Sequence, residues 1–329
     1  MKVLLASPQL GRRLNKLKDM VPDNIEIILP ETELEDELLL LARDVEVIVC
    51  VHLSAKVVQS AKRLKFIQKI GAGVDAIPFD ALRNDVIVAN TSGANPRPLA
   101  EGTVALILAL AKRIVQRHED FKQGKRDSKR GIELRGKNVG IIGFGHIGVE
   151  VAKLLKVFGV KILALKRHPT KVLNPPFDIE FIGGPDELDY LLRESDFVVV
   201  TVPLTPETRG LIGERELRLM KSTAYIINVA RAAIIDENSL YKALIENWIA
   251  GAALDVWWTP HWWDPSWNSR GEPPSKNPIW LLSNVIATPH NIVSTDTQSK
   301  ASQQIIAENI LRLSQGKIPL NQVDKVLHY

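Results

Sequence analysis

The sequence predicts an α/β fold built from two doubly wound parallel sheets, and three observations lead to this prediction. Short apolar runs alternate with longer amphipathic stretches along nearly the whole chain, which is the pattern of strands joined by helices. Several of the runs are continuously apolar and β-branched, as expected for strands covered by helices on both faces. The length of 329 residues, with 45% hydrophobic and 24% charged residues, allows two globular domains.

The predicted strands are too numerous for one ordinary open sheet, which rarely exceeds about ten strands. Strands are predicted at 2–5, 25–29, 45–51, 66–70, 86–89, 138–142, 161–165, 197–201, 224–228, 251–255 and 285–287. Helical stretches between them include 32–42, 99–121, 148–158, 188–194 and 239–247, and a further helical pattern covers 297–313. Because the segment 90–98 is rich in turn-forming residues, we place a domain boundary at its end. One domain then spans 1–98 and is completed by the returning segment 291–329, the other spans 99–290, and a cleft is expected between them.

Composition excludes several classes of protein. The single cysteine, Cys50, rules out an intramolecular disulfide framework and a multi-cysteine metal site, and its apolar neighbours favour a core position. No metal site is predicted. No apolar stretch approaches the roughly 18 residues that span a bilayer, and no secretory pattern is visible, so a cytoplasmic protein without membrane contact is expected. The basic segment 112–137 lacks interleaved aromatic residues, and we interpret it as a solvated helix face rather than a nucleic-acid surface.

The strongest local signal is the motif GFGHIG at 143–148, which lies between the apolar run NVGII and the helical run VEVAKLLKVF. Gly143 permits a tight turn, and Gly145 lets the backbone approach a pyrophosphate. Gly148 allows close packing of the helix on the strand, and the N-terminus of that helix supplies N–H donors. The sequence therefore predicts a dinucleotide-binding site.

The end of the next strand bears on the choice of dinucleotide. An acidic residue commonly stands there and binds the ribose hydroxyls of NAD, whereas this chain has Lys166, Arg167 and His168. These groups fit a 2′-phosphate and favour NADP(H), with NAD(H) as the alternative; an ordinary charged strand end is the other interpretation. A second glycine cluster, GAGVD at 71–75, is interpreted as a loop whose N–H groups face a small anion, or as a simple turn.

Seven separated segments of the chain resemble, in the same order, the D-isomer-specific 2-hydroxyacid dehydrogenases, which have formate and phosphite dehydrogenases as relatives. The segments are LKFIQKIGAGVDAI, VANTSGANPRPLAEGTVALILALAKR, the glycine loop, TVPLTPETRGLIG, INVARAAIIDENSL, GAALDVW and VIATPHN. The resemblance covers almost the whole chain. It implies a Rossmann nucleotide domain, a flavodoxin-like substrate domain and a homodimer.

The resemblance also implies roles for individual residues. Arg231 matches the arginine that binds the substrate carboxylate and keto oxygen, a task suited to a planar, permanently charged group. His290 matches the histidine that protonates the keto oxygen as hydride arrives. Ala72 and Gly73 match the segment whose amides hold the carboxylate, and Asn95 matches a position that lines the cleft.

The cofactor-binding positions implied by the resemblance surround the glycine loop. His146 and Ile147 correspond to the residues whose amides bind the pyrophosphate. The adenosine-side wall consists of Val202, Pro203, Leu204 and Thr208. The nicotinamide pocket consists of Val229, Ala230 and Asp255, and Thr103 is one further contact.

The chain departs from the family just after Asp255. The family has a glutamate five positions further on, in an EP dipeptide, which pairs with the histidine, whereas this chain has Pro260. An insertion restores the match, because Glu272 opens an EP dipeptide before NPIW. Glu272 is then the candidate partner of His290, and Asp264 is its competitor. The same insertion, 257–271, holds five of the seven tryptophans. These tryptophans fit core or subunit packing, or an aromatic lid over the substrate.

The resemblance implies an NAD(P)-dependent oxidoreductase that transfers a hydride between a nicotinamide cofactor and a small 2-oxo or 2-hydroxy acid. The type is a D-2-hydroxyacid dehydrogenase or a glyoxylate/hydroxypyruvate reductase. One alternative is a formate-type dehydrogenase, which the lack of a glutamine near Pro260 disfavours. The other is a catalytically weak, cofactor-sensing binding protein, against which Arg231 and His290 argue.

Overall fold

The protein divides into two compact units. The structure, a computed structural model, describes residues 1–32, 34–94, 96–169, 177–259 and 271–327. One unit consists of Met1–Asn95 with Ser294–Tyr329, and the other of Pro96–Val293. Each unit holds one fully parallel sheet, which confirms the predicted fold class. Within the described ranges, no helix is both long and apolar enough to cross a membrane.

The first unit contains a five-stranded sheet. Its elements up to the end of this sheet are β1 (Lys2–Leu5), α1 (Pro8–Arg13), β2 (Glu26–Ile28), α2 (Glu35–Ala42), β3 (Val47–Cys50), α3 (Ala55–Ser60), β4 (Phe66–Lys69) and β5 (Ile87–Ala89). The strand order is β2-β1-β3-β4-β5, which is the flavodoxin-like order. The apolar run of β3 is fully buried, as expected for an inner strand of a parallel sheet.

The second unit contains a seven-stranded sheet. Its elements are α4 (Pro96–Lys112), α5 (Ile114–Lys122), β6 (Asn138–Ile142), α6 (His146–Lys156), β7 (Lys161–Leu165), β8 (Phe181–Gly183), α7 (Leu188–Glu194), β9 (Phe197–Val200), α8 (Glu214–Leu219), β10 (Tyr225–Asn228), α9 (Glu237–Ile245), β11 (Gly251–Leu254) and β12 (Val285–Ala287). The strand order is β12-β11-β10-β9-β6-β7-β8. The six neighbouring strands β8-β7-β6-β9-β10-β11 follow the Rossmann order. The direction of winding reverses between β6 and β9, which is where such sheets bind ligands.

Helices α1, α3 and α8 add to the stretches predicted from the sequence, and two further differences have a physical reason in the local structure. Strand β8 is absent from the prediction because it is three residues long and its sequence FIG runs into a second glycine, which is typical of a turn. The single helix predicted at 99–121 begins earlier, at Pro96, and is broken at Arg113, which has a φ of 56°. The guanidinium of Arg113 holds this conformation through a 2.7 Å ion pair with Asp127, a contact that helical periodicity does not encode.

The last helix, α10 (Asp296–Ser314), belongs to the first unit. Its Ile306, Ala307 and Ile310 are buried in the same apolar core as residues of β1 and β3. Beside them the buried amide of Asn309 donates to Gln68 Oε1 at 2.7 Å. This polar pair fixes the helix against β4, because a buried amide without its partner would be costly.

Candidate active site

The glycine loop after β6 has the shape that a dinucleotide requires. Gly143 has a φ of 107°, and a Cβ there would lie 2.7 Å from the Val202 backbone nitrogen. At Gly148 a Cβ would lie 2.4 Å from the Gly143 carbonyl oxygen, so the helix packs tightly on the loop. Apart from Gly145 and its two chain neighbours, no heavy atom of the described residues lies within 4 Å of a Cβ built at Gly145. This open space in front of α6, which begins with His146 and Ile147, fits a pyrophosphate.

The basic run after β7 lies beside this loop. Leu165, the last residue of β7, accepts hydrogen bonds through its carbonyl oxygen from the backbone of Gly143 at 3.1 Å and Phe144 at 2.8 Å. Lys166 and Arg167 follow directly, and Arg167 Nη2 lies 3.6 Å from Glu207 Oε2. Cationic donors therefore stand next to the loop, where the fold would bring the 2′ position of an adenosine ribose.

The predicted adenosine-side wall is a rigid loop after β9. The Thr208 hydroxyl donates to the Pro203 carbonyl oxygen at 2.7 Å and accepts from the Thr205 backbone N–H at 2.8 Å. The backbone of Val202 lies against Gly143, as the contact distance given above shows. The loop thus borders the glycine loop, and its shape is fixed by its own hydrogen bonds.

Five predicted site residues follow three neighbouring strands. Strands β10, β11 and β12 are parallel and in register, with Asn228 paired to Leu254 and Leu254 paired to Ala287. Because the carboxyl ends of parallel strands meet at one edge, the residues that follow these strands share that edge. They are Val229, Ala230 and Arg231 after β10, Asp255 after β11, and His290 after β12.

The turn that carries Arg231 is shaped by Asn228, the fully buried last residue of β10. Its side chain accepts from the Ala230 backbone N–H at 3.1 Å and donates to the Arg231 carbonyl oxygen at 2.9 Å. The Arg231 guanidinium itself donates to the Ala230 carbonyl oxygen at 2.8 Å. Asn228 is absent from the predicted site. The available signal was an amide that ends the otherwise apolar run YIIN.

Asp255 and His290 form one hydrogen-bonded group. The Asp255 carboxylate, only 2% exposed, accepts from Thr288 Oγ1 at 2.7 Å and from the backbone N–H groups of His290, Asn291 and Ile292. Burial raises the pKa of Asp255 to about 6, although these four donors oppose the shift. His290 has a φ of 54°, and its Nδ1 lies 3.2 Å from the Asp255 carbonyl oxygen. Asp255 therefore anchors the segment on which His290 stands.

The described ends of the insertion are held firmly. Thr259 donates from its backbone to the Pro274 carbonyl oxygen at 2.9 Å and from its hydroxyl to the Pro273 carbonyl oxygen at 2.6 Å. Glu272 is exposed and directly precedes this closure. Asp264 and the tryptophans at 262, 263 and 267 lie outside the described residues, as does Asn95 of the first unit.

Hydrogen bonds within the protein engage two groups near predicted ligand contacts. The Gly71 N–H donates to Thr91 Oγ1 at 2.7 Å, so the predicted anion donors of the glycine cluster are the N–H groups of Ala72 and Gly73. Thr103 is fully buried, and its hydroxyl donates to the Leu99 carbonyl oxygen at 2.7 Å, one turn earlier in α4. The Thr103 hydroxyl is thus engaged within α4, and contact of this residue with the cofactor stays a prediction.

Comparison with known proteins explains why these segments occur together. Residues 104–291 match the family model for the D-isomer specific 2-hydroxyacid dehydrogenase NAD binding domain. The chain belongs to this family. The matched range contains the glycine loop, Arg231 and His290, and the match supports a nicotinamide nucleotide as the cofactor.

Individual relatives agree with this membership. A D-3-phosphoglycerate dehydrogenase of Methanocaldococcus jannaschii is 38% identical over 296 residues, which cover 88% of this chain and 54% of the relative. The chain thus spans little more than half the length of that protein. A glyoxylate reductase of Aeropyrum pernix is 37% identical over 285 residues, covering 83% and 80% of the two chains. The crystal structure of D-lactate dehydrogenase from Aquifex aeolicus, with NAD and lactic acid, is 25% identical with a TM-score of 0.81, covering 96% of each chain.

Proposed function

We propose that the protein reduces small 2-oxo acids to D-2-hydroxy acids, with NADPH preferred and NADH as the alternative cofactor. The observation that carries the proposal is the edge formed after β10, β11 and β12, where Arg231, Asp255 and His290 follow strands in register beside a dinucleotide-shaped loop. A nicotinamide nucleotide supplies the hydride when it is bound. Everything else in the reaction is the task of this chain's own residues.

Arg231 is proposed to orient the substrate. A guanidinium can bind the carboxylate and the keto oxygen of a 2-oxo acid at the same time, and it keeps its charge at any working pH. The Asn228 side chain fixes the backbone on both sides of Arg231, so the position of the guanidinium is set before the substrate arrives. Such prior orientation removes much of the entropy cost of the reaction. In the first unit, Ala72 and Gly73 are proposed to supply N–H donors to a carboxylate.

His290 is proposed to donate a proton to the keto oxygen from Nε2. A carbonyl oxygen only accepts hydrogen bonds, so the Nδ1 that faces the Asp255 carbonyl carries a proton of its own. The nitrogen that exchanges a proton with the substrate is therefore Nε2. We further propose Glu272 as the carboxylate that favours the protonated imidazole, with Asp264 as its competitor. The homodimer and the cytoplasmic location remain proposals that rest on the family resemblance and the composition.

The proposal predicts that Arg231→Ala and His290→Ala each abolish most reduction of 2-oxo acids. A positioned general acid contributes about 10²- to 10⁴-fold to the rate, and losses of that order in kcat/KM are expected while cofactor affinity stays nearly intact. The measurement is the loss of NADPH absorbance with glyoxylate, hydroxypyruvate and pyruvate. His118→Ala and Arg218→Ala are the matched controls, because both residues are exposed and lie outside the proposed site. Wild-type kcat/KM in either site variant contradicts the proposal.

The same assay identifies the partner of His290. Because a carboxylate favours the imidazolium, Glu272→Gln is expected to move the alkaline limb of the reductive pH–rate profile to lower pH and to decrease kcat. A shift caused by Asp264→Asn instead would assign the pairing to that residue. An unchanged profile in both variants would mean that His290 acts without either carboxylate.

A further inference from the structure

The two tryptophans that follow Asp255 are bonded to the two segments on which the proposed catalytic residues stand. The Trp257 indole Nε1–H donates to the Thr288 carbonyl oxygen at 3.0 Å, two residues before His290. The Trp258 indole Nε1–H donates to the Ile235 carbonyl oxygen at 3.0 Å, four residues after Arg231. Consecutive residues of one chain thus contact both segments.

These contacts differ from ordinary packing of aromatic rings. Trp257 is only 7% exposed, and a buried indole N–H needs an acceptor, which restricts the ring to positions where an acceptor lies. Here the acceptors are backbone carbonyls, so each bond fixes the course of the chain and not only a side chain. Both acceptors lie close in sequence to a proposed catalytic residue.

The His290 segment is held from a second direction as well. Thr288 donates its hydroxyl to Asp255 at 2.7 Å and its backbone N–H to the Leu254 carbonyl oxygen at 2.9 Å, while its own carbonyl oxygen accepts from Trp257. His290 adopts a left-handed φ of 54°, which non-glycine residues adopt only when their surroundings impose it. The indole bond is one of the hydrogen bonds that hold the segment in which this conformation occurs.

The Arg231 segment receives a corresponding support. Arg231 is followed by the short helical turn Ala232–Ile234, and Ile235 closes that turn by donating its N–H to the Ala232 carbonyl oxygen at 2.9 Å. The Trp258 indole binds the Ile235 carbonyl oxygen on the far side of the turn. Asn228 holds the near side, as described above, so the turn that carries Arg231 is fixed at both ends.

We propose that Trp257 and Trp258 are positioning residues, Trp257 for the proton donor His290 and Trp258 for the carboxylate-binding Arg231. The inference rests on the proposed function and assigns to the start of the insertion a role in setting the geometry of the reaction. Because the two residues are adjacent in the chain, they also couple the two segments to each other. Displacement of the donor would slow the proton transfer, whereas displacement of the guanidinium would weaken substrate binding.

Tryptophan-to-phenylalanine variants test the proposal, because phenylalanine keeps an aromatic ring and removes the N–H donor. Trp257→Phe is expected to lower kcat about three- to tenfold with little change in KM, the size of effect that follows from one lost hydrogen bond. Trp258→Phe is expected to raise KM for the 2-oxo acid by a similar factor with kcat nearly unchanged. Cofactor affinity, measured by quenching of the remaining tryptophan fluorescence, should stay at the wild-type value in both.

Trp248→Phe is the matched control, since the Trp248 indole donates to the Glu246 carboxylate at 2.9 Å and not to either catalytic segment. If a phenylalanine variant fails to fold, Trp257→Met and Trp258→Met lack the same donor and adapt to irregular space.

Variants that lower the melting temperature but leave kcat and KM unchanged would overturn the proposal. So would equal changes of kcat and KM in both variants, or an effect of the same size in Trp248→Phe. Full activity of Arg231→Ala and His290→Ala would instead overturn the proposed function, and the two failures are therefore distinguishable.

Discussion

Asn228 ends one buried strand and Asp255 directly follows another, and each uses its side chain to hold a neighbouring backbone segment. Asn228 binds both sides of the turn that leads to Arg231, and Asp255 gathers four donors from the segment 288–292. A buried polar group is stable only when its hydrogen bonds are made, so each of these side chains tolerates one local arrangement of the chain. The residues proposed to act on the substrate are thereby given fixed positions by residues that need not touch it.

The raised pKa of Asp255 predicts a pH-dependent stability. Its pKa is about 6 in the folded protein because of burial, compared with about 3.9 in an unfolded chain. The folded state therefore holds more of this proton between these values, and the contribution of Asp255 to the free energy of unfolding falls as the pH rises from about 4 to about 6. The contribution of this group amounts to about 2–3 kcal/mol.

The variant Asp255→Asn, which cannot titrate, isolates this effect. Urea unfolding of the cofactor-free wild type and the variant at several pH values between 4 and 7 should give two stability curves that diverge through this window. The wild type should lose stability relative to the variant as the pH rises. Curves that run parallel across the window would contradict the assigned pKa shift.

Single residues were predictable from the sequence where they belong to a motif. Arg231 and His290 stand in short segments with a recognisable order, and the structure brings their segments to one edge of a sheet. The engagement of the Gly71 N–H by Thr91 was not predictable, because it joins two loops that are twenty residues apart. Asn228 could not be assigned either, since one buried amide in a strand has no sequence pattern of its own.

At the scale of elements, the junction of β6 and α6 contains two glycines, Gly148 and Gly145, whose surroundings differ. Gly148 is required for packing, because a Cβ there would lie 2.4 Å from a backbone oxygen. Gly145 has space around it among the described residues, and its φ of −93° is open to any residue. The fold does not require a glycine here, and we propose that a bound dinucleotide does.

This contrast predicts different outcomes for two equal substitutions. Gly148→Ala should lower the melting temperature, because overpacking of this kind costs about 1–3 kcal/mol. Gly145→Ala should leave the melting temperature nearly unchanged but weaken dinucleotide binding at least tenfold, since the methyl group occupies the space meant for the pyrophosphate. Differential scanning calorimetry and cofactor titration measure the two quantities. Unchanged cofactor affinity in Gly145→Ala would refute the dinucleotide site.

The strands of the second unit were more predictable than its helices. The bounds of β6, β7 and β12 agree with the sequence prediction, because uninterrupted apolar runs begin and end sharply. The break at Arg113 escaped prediction because it depends on one left-handed residue between two helical stretches. Helical periodicity reports which face is buried, and it is insensitive to a single left-handed residue.

At the scale of the whole molecule, the number of strands indicated two sheets, but their order had to come from contacts between distant residues. The pairing of Asn309 with Gln68 is one example, since it ties the last helix to a strand near the start of the chain. Right-handed crossovers between parallel strands restrict the possible orders without selecting one. The chain carries a net charge of +4. The positions of its basic residues bear on whether the protein prefers NADPH or NADH.

We predict that NADPH is preferred to NADH because Lys166, Arg167 and His168 stand where an acidic residue would favour the free ribose hydroxyls. A cofactor at a hundred times its dissociation constant stabilises a protein by about 2.7 kcal/mol, so NADPH should raise the melting temperature more than NADH at equal concentration. Kcat/KM should be higher with NADPH, and added salt should narrow the difference between the two cofactors.

Arg167→Ala should erode both preferences. Arg193→Ala removes the same charge from an exposed position on α7 and should preserve them. Equal or higher kcat/KM with NADH in the wild type would show that the basic run does not bind a phosphate.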